Sequence, residues 1–183
     1  WPAELGRDLA LSHRWLDLSL EDRLNGVRAA PDGSLARVVL QASDVIDKGK
    51  YRHHALIRHW VDHVAAQLAG SLTTVVISKA GSVEFKPVPA AAACAQLDAL
   101  LSAWRSGMSR PLPLAVKTAF AWLADPDKAC TVYEGGYAFK GEVEMSPYLA
   151  RVWPDYASLV ADGEFFELAE LLRPLFEAAF VEK

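Results

Sequence analysis

The sequence has no long apolar run. None of its hydrophobic stretches approaches the roughly 18 residues that a membrane-spanning helix needs, and no charged start followed by an apolar stretch marks a secretory signal. The expectation is a soluble, cytoplasmic domain with no membrane contact. Cysteine is nearly absent: Cys94 and Cys130 lie in helical, alanine-containing stretches without a CxxC spacing, which reads as small buried hydrophobes rather than a disulfide or a zinc site. A phosphate loop is missing, since Glu134-Gly135-Gly136 is not followed by Gly-Lys-Ser/Thr, and neither Ser12 nor Ser146 sits in a G-x-S-x-G turn, so nucleotide hydrolysis and serine catalysis have no support. Positive charge is not in excess either. With 19 Lys/Arg against 23 Asp/Glu and a net charge of −4, a broad basic DNA-binding face is excluded and any nucleic-acid contact must be local.

What is present suits one compact domain over residues 1–183: 52% hydrophobic and 23% charged residues, enough to bury roughly 70% of the unfolded surface, with no repeat or low-complexity linker. The chain opens on Trp1, as a fragment of a longer polypeptide would. Leu16–Leu20 alternates as a strand, Leu35–Leu40 is apolar and β-branched, and Pro31-Asp32-Gly33 between them is a hairpin turn signal. From Tyr51 to Leu68, Leu56, Ile57, Trp60, Val64 and Leu68 recur at helical spacing, with Arg58, His59, Asp62 and His63 on the other faces and Gly70 as C-cap. Thr73–Ser78 and Val83–Val88 read as paired strands. Everything after Pro89 reads as helix: Ala90–Arg105 with Leu97, Leu100, Leu101 and Trp104 on one side, Leu114–Leu123, Asp125–Glu134, and a last stretch from Gly163 to Val181 that Pro174 kinks or divides. The fold class is α+β (or α/β), a mixed sheet flanked by helices.

Two groups of residues are candidates for contact with nucleic acid or a partner. Positive charge clusters at Lys48, Lys50, Arg52, His53, His54, Arg58 and His59; of these Lys48, Lys50, Arg52, His53 and Arg58 are the contact candidates, with Lys48, Lys50 and Arg52 at a helix start, where backbone N–H groups and the dipole favour phosphate. Tyr137 and Phe139, next to Lys140, stand in a glycine-broken stretch that can present rings for stacking. His59 and His63 are four apart, but Trp60 occupies the place of the glutamate in H-E-x-x-H, so no metal site is assigned.

The most specific strings are Pro111-Leu112-Pro113 with Lys117-Thr118 and Trp122-Leu123, then Tyr133-Glu134-Gly135, then Gly141-Glu142, Pro147-Tyr148-Leu149-Ala150-Arg151 and Trp153-Pro154-Asp155. In this order, with the basic Trp60-bearing helix Lys50–His63, they resemble the C-terminal domain of RecC, the gamma subunit of exodeoxyribonuclease V. The resemblance implies a PD-(D/E)XK nuclease-like fold, and as partners the remainder of RecC, the RecB and RecD subunits, and DNA. In the active pattern a G-x-x-D strand precedes one ending in D-Y-K, which places carboxylates and lysine around Mg²⁺. Here Gly26 leads to Ala29, and Leu40 and Ala42 stand where acid and lysine belong. The expectation is therefore a catalytically degenerate domain with no catalytic residue and no cofactor. Asp32 reads as a turn residue, and Glu84 and Lys86 as a solvated strand face. Tyr148, Arg151, Trp153 and Tyr156 are expected to be structural, with Arg151 supplying charge-assisted hydrogen bonds and Trp153 a buried ring. The alternatives are an active metal-dependent nuclease domain of RecB or AddB type, and an interaction module without direct DNA contact.

Overall fold

The computed structural model describes residues 3–4, 8–29 and 32–179. The chain clusters into two compact units, residues 1–101 with 178–183, and residues 102–177.

The first unit is built on a five-stranded sheet. Strand β1 (Ala3–Glu4) is followed by a separate ribbon, β2 (Leu9–Trp15) and β3 (Leu18–Leu24), and the sheet resumes with β4 (Val27–Ala29) and β5 (Leu35–Leu40). The expected strand at Leu16–Leu20 is thus a strand start preceded by a turn, because Leu16 and Asp17 form the hairpin tip. The apolar alternation changes phase at this point, from odd positions (Leu9, Leu11, Trp15) to even ones (Leu16, Leu18, Leu20), and that shift marks the turn. Leu16 turns the chain with φ 51°, a left-handed conformation usually left to glycine or asparagine. The turn between β4 and β5 is where Asp32 places it: its carboxylate accepts from the Ser34 N–H and hydroxyl at 2.9 and 2.7 Å, while Pro31 lies outside the described residues.

After β5 the chain forms a small hairpin, β6 (Ile46–Asp47) and β7 (Lys50–Tyr51), then helix α1 (His53–Ala66), β8 (Leu72–Ser78) and β9 (Gly81–Phe85). The strand order is β1-β4-β5-β8-β9. Among the described residues only the β5–β8 pairing is parallel, Leu35 opposite Leu72 through Leu40 opposite Ile77. A parallel pair needs a crossover, and α1 supplies it, burying Leu56, Trp60 and Val64 while β8 and β9 bury Leu72, Val76, Val83 and Phe85. Helix α1 ends before Gly70, its C-cap being Gln67. Helix α2 (Ala90–Gly107) follows, burying Ala93 and Leu97 but leaving Trp104, expected on the apolar side, 54% exposed.

The second unit is a set of short helices: α3 (Val116–Ala124), a 3₁₀ turn (Pro126–Lys128), α4 (Ala129–Glu134), α5 (Glu142–Met145), α6 (Pro147–Val152), α7 (Tyr156–Val160), α8 (Glu164–Glu170) and α9 (Arg173–Ala178). Between α4 and α5 stands a hairpin, β10 (Gly135–Gly136) with β11 (Phe139–Lys140), so the stretch after Pro89 is not wholly helical. The expected last helix is α8 plus α9, parted at Leu171-Leu172. Pro174 takes the second position of α9, where a missing N–H costs nothing. Residues 180–183, its expected end, lie outside the described residues. Phe165 is fully buried at the centre, with ring centroids 6.2 Å from Tyr156 and 5.4 Å from Phe166, and Trp122 lies 5.3 Å from Phe166.

Candidate nucleic-acid and partner interface

The positions where the resemblance leads one to expect acid and lysine carry apolar side chains and do not lie together: Ala29 pairs with Leu35, at the opposite end of the β4–β5 pair from Leu40. Ala29 ends β4, Leu40 ends β5 with 81% of its surface exposed, and Ala42 is exposed just beyond it. Neither an alanine methyl nor a leucine side chain offers the hard oxygen ligands that Mg²⁺ requires. Glu84 and Lys86 point to solvent, with Val83 and Phe85 turned into the core. Among the described residues no group of three or more His, Cys, Asp or Glu is placed to hold a metal ion.

The basic residues sit at the β6–β7 hairpin and the start of α1. Lys48 and Gly49 form the tip with φ 49° and 75°, the double left-handed turn that suits the twist of a two-residue hairpin. Lys48 and Lys50 are exposed, as are Arg52 and Arg58. Arg52 is the N-cap residue of α1, and its guanidinium donates to the Asp44 carbonyl at 3.3 Å. Asp44 and Asp47 stand among these cations and are exposed. His53 is half-buried, and burial pushes its pKa down.

His59 and His63 are not on a polar outer face, as their spacing suggested. Both are buried, His63 completely, because they share the side of α1 that carries Leu56 and Trp60 onto the sheet. The His63 ring lies 5.3 Å from Trp60 and 5.5 Å from Phe85. Its Nε2 is 3.0 Å from the Lys86 carbonyl oxygen, and its Nδ1 is 2.9 Å from the Thr74 hydroxyl. A carbonyl only accepts, so Nε2 carries the proton and Nδ1 accepts from Thr74. Both ring nitrogens are thereby used, and desolvation lowers the pKa to about 4. His63 is a neutral strut. His59, whose Nε2 meets Gln41 Oε1 at 3.0 Å, is likewise lowered, chiefly by burial.

In the second unit the strings that look so specific in sequence bind one another. Helix α3 begins after Ala115, which has no side chain to cap it. Glu142 takes that role from 25 residues away: its carboxylate accepts from Lys117 N at 3.0 Å, Thr118 N at 2.7 Å and the Thr118 hydroxyl at 2.8 Å. These are the second and third N–H groups of the helix, the ones a capping side chain satisfies. Tyr133 donates to the Trp153 carbonyl at 2.6 Å, and Glu134 accepts from Tyr156 N at 2.8 Å. Burial pushes the Tyr133 phenol up to about 12, and nearby acids add to the shift. Asp155 and Ser158 form a reciprocal capping box on α7. Gly135 and Gly141 complete the frame. A Cβ on Gly141 would lie 2.3 Å from the Tyr133 carbonyl oxygen and 2.4 Å from Gly135 N, and Gly135 itself has φ 84°.

The expected structural residues divide accordingly. Tyr156 packs 6.2 Å from Tyr133. Trp153 is half-buried, and its backbone carbonyl makes the key contact. Arg151 is exposed on α6, and Tyr148 is 86% exposed; the segment is pinned not by Arg151 but by the hydrogen bond that Tyr133 donates and those that Glu134 and Glu142 accept. Tyr137 is fully exposed at the β10–β11 tip, Phe139 is 52% exposed, and Lys140 is exposed beside it. The capping role of Glu142 and the glycine clasp carry no local sequence signal.

The family model described as the RecC C-terminal domain matches residues 2–126, well over half of the chain, and the chain belongs to that family. The match takes in the sheet, α1, α2 and α3, and ends before the Tyr133–Asp155 strings. Membership places the chain with a RecBCD-related assembly of DNA repair and recombination, a complex with exonuclease V activity in which RecC is not the nuclease subunit. No curated protein matches the chain at a significant level. No helix among the described residues is long and apolar enough to cross a membrane.

Proposed function

We propose that this chain is a non-catalytic scaffold and DNA-handling domain of a RecBCD-type helicase-nuclease, with a nuclease-like fold whose metal site has been lost. The observation that carries the reading is that Leu40 and Ala42, at the end of β5, stand where acid and lysine are expected; Ala29, where the third group is expected, pairs with Leu35 at the opposite end of the β4–β5 pair. An antiparallel pair followed by a helical crossover to a parallel strand supports the nuclease-like part. The basic tip of Lys48, Lys50 and Arg52 is the proposed phosphate contact, with His53 and Arg58 beside it. RecB, RecD and the remainder of RecC are the proposed protein partners.

Two measurements test this. The purified chain should not degrade linear DNA with Mg²⁺ or Mn²⁺; cleavage that survives repurification and vanishes in Glu84→Ala would establish the active-nuclease alternative. Charge reversal at Lys48, Lys50 and Arg52 together should weaken duplex binding and flatten its salt dependence, each lost phosphate contact removing about 0.9 from the slope of log K against log salt. An unchanged slope would assign those residues to solvent or protein.

A further inference from the structure

We propose that segment 137–152 of the second unit is a docking surface for a separate subunit whose contact face is apolar and whose rim is basic, and not a surface for nucleic acid. The inference rests on the reading that the chain works inside a multi-subunit assembly. Half of the large apolar side chains exposed among the described residues fall in this one segment: Tyr137, Phe139, Met145, Tyr148 and Val152. Such a concentration marks a contact site rather than ordinary surface, and aromatic residues and methionine are the types enriched at protein interfaces.

The segment is also held in place. The Gly135–Gly141 approach closes the base of the hairpin, and Glu142 ties the start of α5 to α3. Beyond α6, the Trp153 carbonyl is held by Tyr133. Side chains displayed from a fixed frame lose little freedom on binding, which is how a small patch gains affinity.

Charge decides the occupant. Residues 102–177 hold seven Lys and Arg against eleven Asp and Glu, and so carry the chain's entire net charge of −4, while the rest is balanced at twelve of each. A nucleic-acid strand laid on the segment would meet two cations, Lys140 and Arg151, against Glu142 and Glu144, in a unit whose field repels phosphate. Backbone neutralisation, the main source of affinity for nucleic acid, is not available there. The same field attracts a basic-rimmed polypeptide.

The test places p-benzoylphenylalanine at Tyr137 and, separately, at Tyr148 in the chain assembled with its RecBCD-type subunits, irradiated with and without a labelled duplex bearing a single-stranded tail. The expected product is a cross-link to another subunit, at a site with basic residues around an apolar centre, unaffected by DNA. A cross-link to DNA, to the chain's own polypeptide, or to nothing overturns the proposal. As a second arm, Tyr137→Ser, Phe139→Ser and Tyr148→Ser combined should leave the melting temperature unchanged and lower affinity for the other subunits roughly tenfold, and unchanged affinity would overturn the proposal equally. Because the DNA-handling reading is tested at Lys48, Lys50 and Arg52 in the other unit, either idea can fail while the other stands.

Discussion

The two units solve the same problem, unpaired backbone groups at the ends of short elements, with opposite chemistry. The sheet unit buries neutral polar side chains: His59, His63, Gln67, Thr74 and Ser78 are all in its interior. Gln67 bonds the His63 and Leu72 carbonyls at 3.1 and 2.8 Å and accepts from Leu72 N, joining the end of α1 to the start of β8. Ser78 bonds the Gly81 carbonyl at 2.9 Å across the β8–β9 turn. In the helical unit, among the described residues, Thr118 and the Tyr133 phenol are the buried polar groups. Carboxylates near the surface do the work there: Glu142, Asp125, Asp155 and Asp162 each accept from N–H groups at a helix start. A buried neutral network gives rigidity and fails when a member must take a proton. Surface carboxylates are individually weak, tolerant of burial defects, and leave the unit acidic.

The glycine clasp offers the sharpest way to break this contrast, because it is backbone against backbone and no side chain can give way. Gly141→Ala places a methyl 2.3 Å from the Tyr133 carbonyl oxygen, and should cost on the order of 3–5 kcal/mol. Near-ultraviolet circular dichroism and calorimetry check it. The helical unit should lose its aromatic signal while Trp60 and Phe85 in the sheet unit keep theirs; a variant that melts like the parent would mean that the hairpin base is open.

The elements legible in the sequence are those whose own residues decide them. Helix α1 and strands β5, β8 and β9 follow from apolar periodicity and from turn residues such as Asp32 and Gly33. What was not legible depends on partners distant in the chain. The tip at Leu16 adopts a conformation its residue type disfavours, and only the change of phase in the apolar alternation at Trp15-Leu16 hints at it. The β10–β11 hairpin is only two residues a side and is closed by a glycine from beyond it. His63 looks like a surface residue until the helix is docked, when its two nitrogens meet Thr74 and Lys86. Specific strings such as Lys117-Thr118 and Gly141-Glu142 could be recognised without being explained, since the contact that joins them spans 24 residues. That Leu40 and Ala42 are apolar, by contrast, is read residue by residue whatever the fold around them.

Acid should separate the units next. His63 has a pKa of about 4 in the fold against about 6.5 when free. The unfolded chain therefore takes its proton first. Stability from this group is fully present above pH ~6.5 and is lost as pH falls from there to about 4, by on the order of 3 kcal/mol. His53 and His59, also lowered by burial, act in the same direction. In the helical unit Asp125 is held below its ordinary 3.8, mainly by its Lys128 hydrogen bond, and Asp155 by its bonds from Ser158. Their contribution is present above pH 3.8 and disappears only below it. Urea midpoints between pH 7 and 4.5 should fall for the sheet unit first, and His63→Asn, which cannot take the proton, should flatten that slope. An equal slope in the variant would remove His63 from the account.

The smallest effect tests whether the carboxylates of the helical unit act as charges or as hydrogen-bond acceptors. Glu142 serves Lys117 N, Thr118 N and the Thr118 hydroxyl at once. Glu142→Ala removes every acceptor, and since α3 has no side-chain cap of its own, it should cost about 1–2 kcal/mol, the usual loss for a deleted N-cap. Glu142→Gln keeps one oxygen in place but gives up the negative charge at the positive end of the helix dipole, which is worth about 0.3–1 kcal/mol. The amide should therefore fall between parent and alanine in thermal melts, and its deficit should shrink as salt is added, because only the charge is screened. If glutamine and alanine melt together at every salt concentration, then charge rather than hydrogen-bond geometry carries this contact. The helical unit would then owe its order at α3 to the same field that makes its surface acidic.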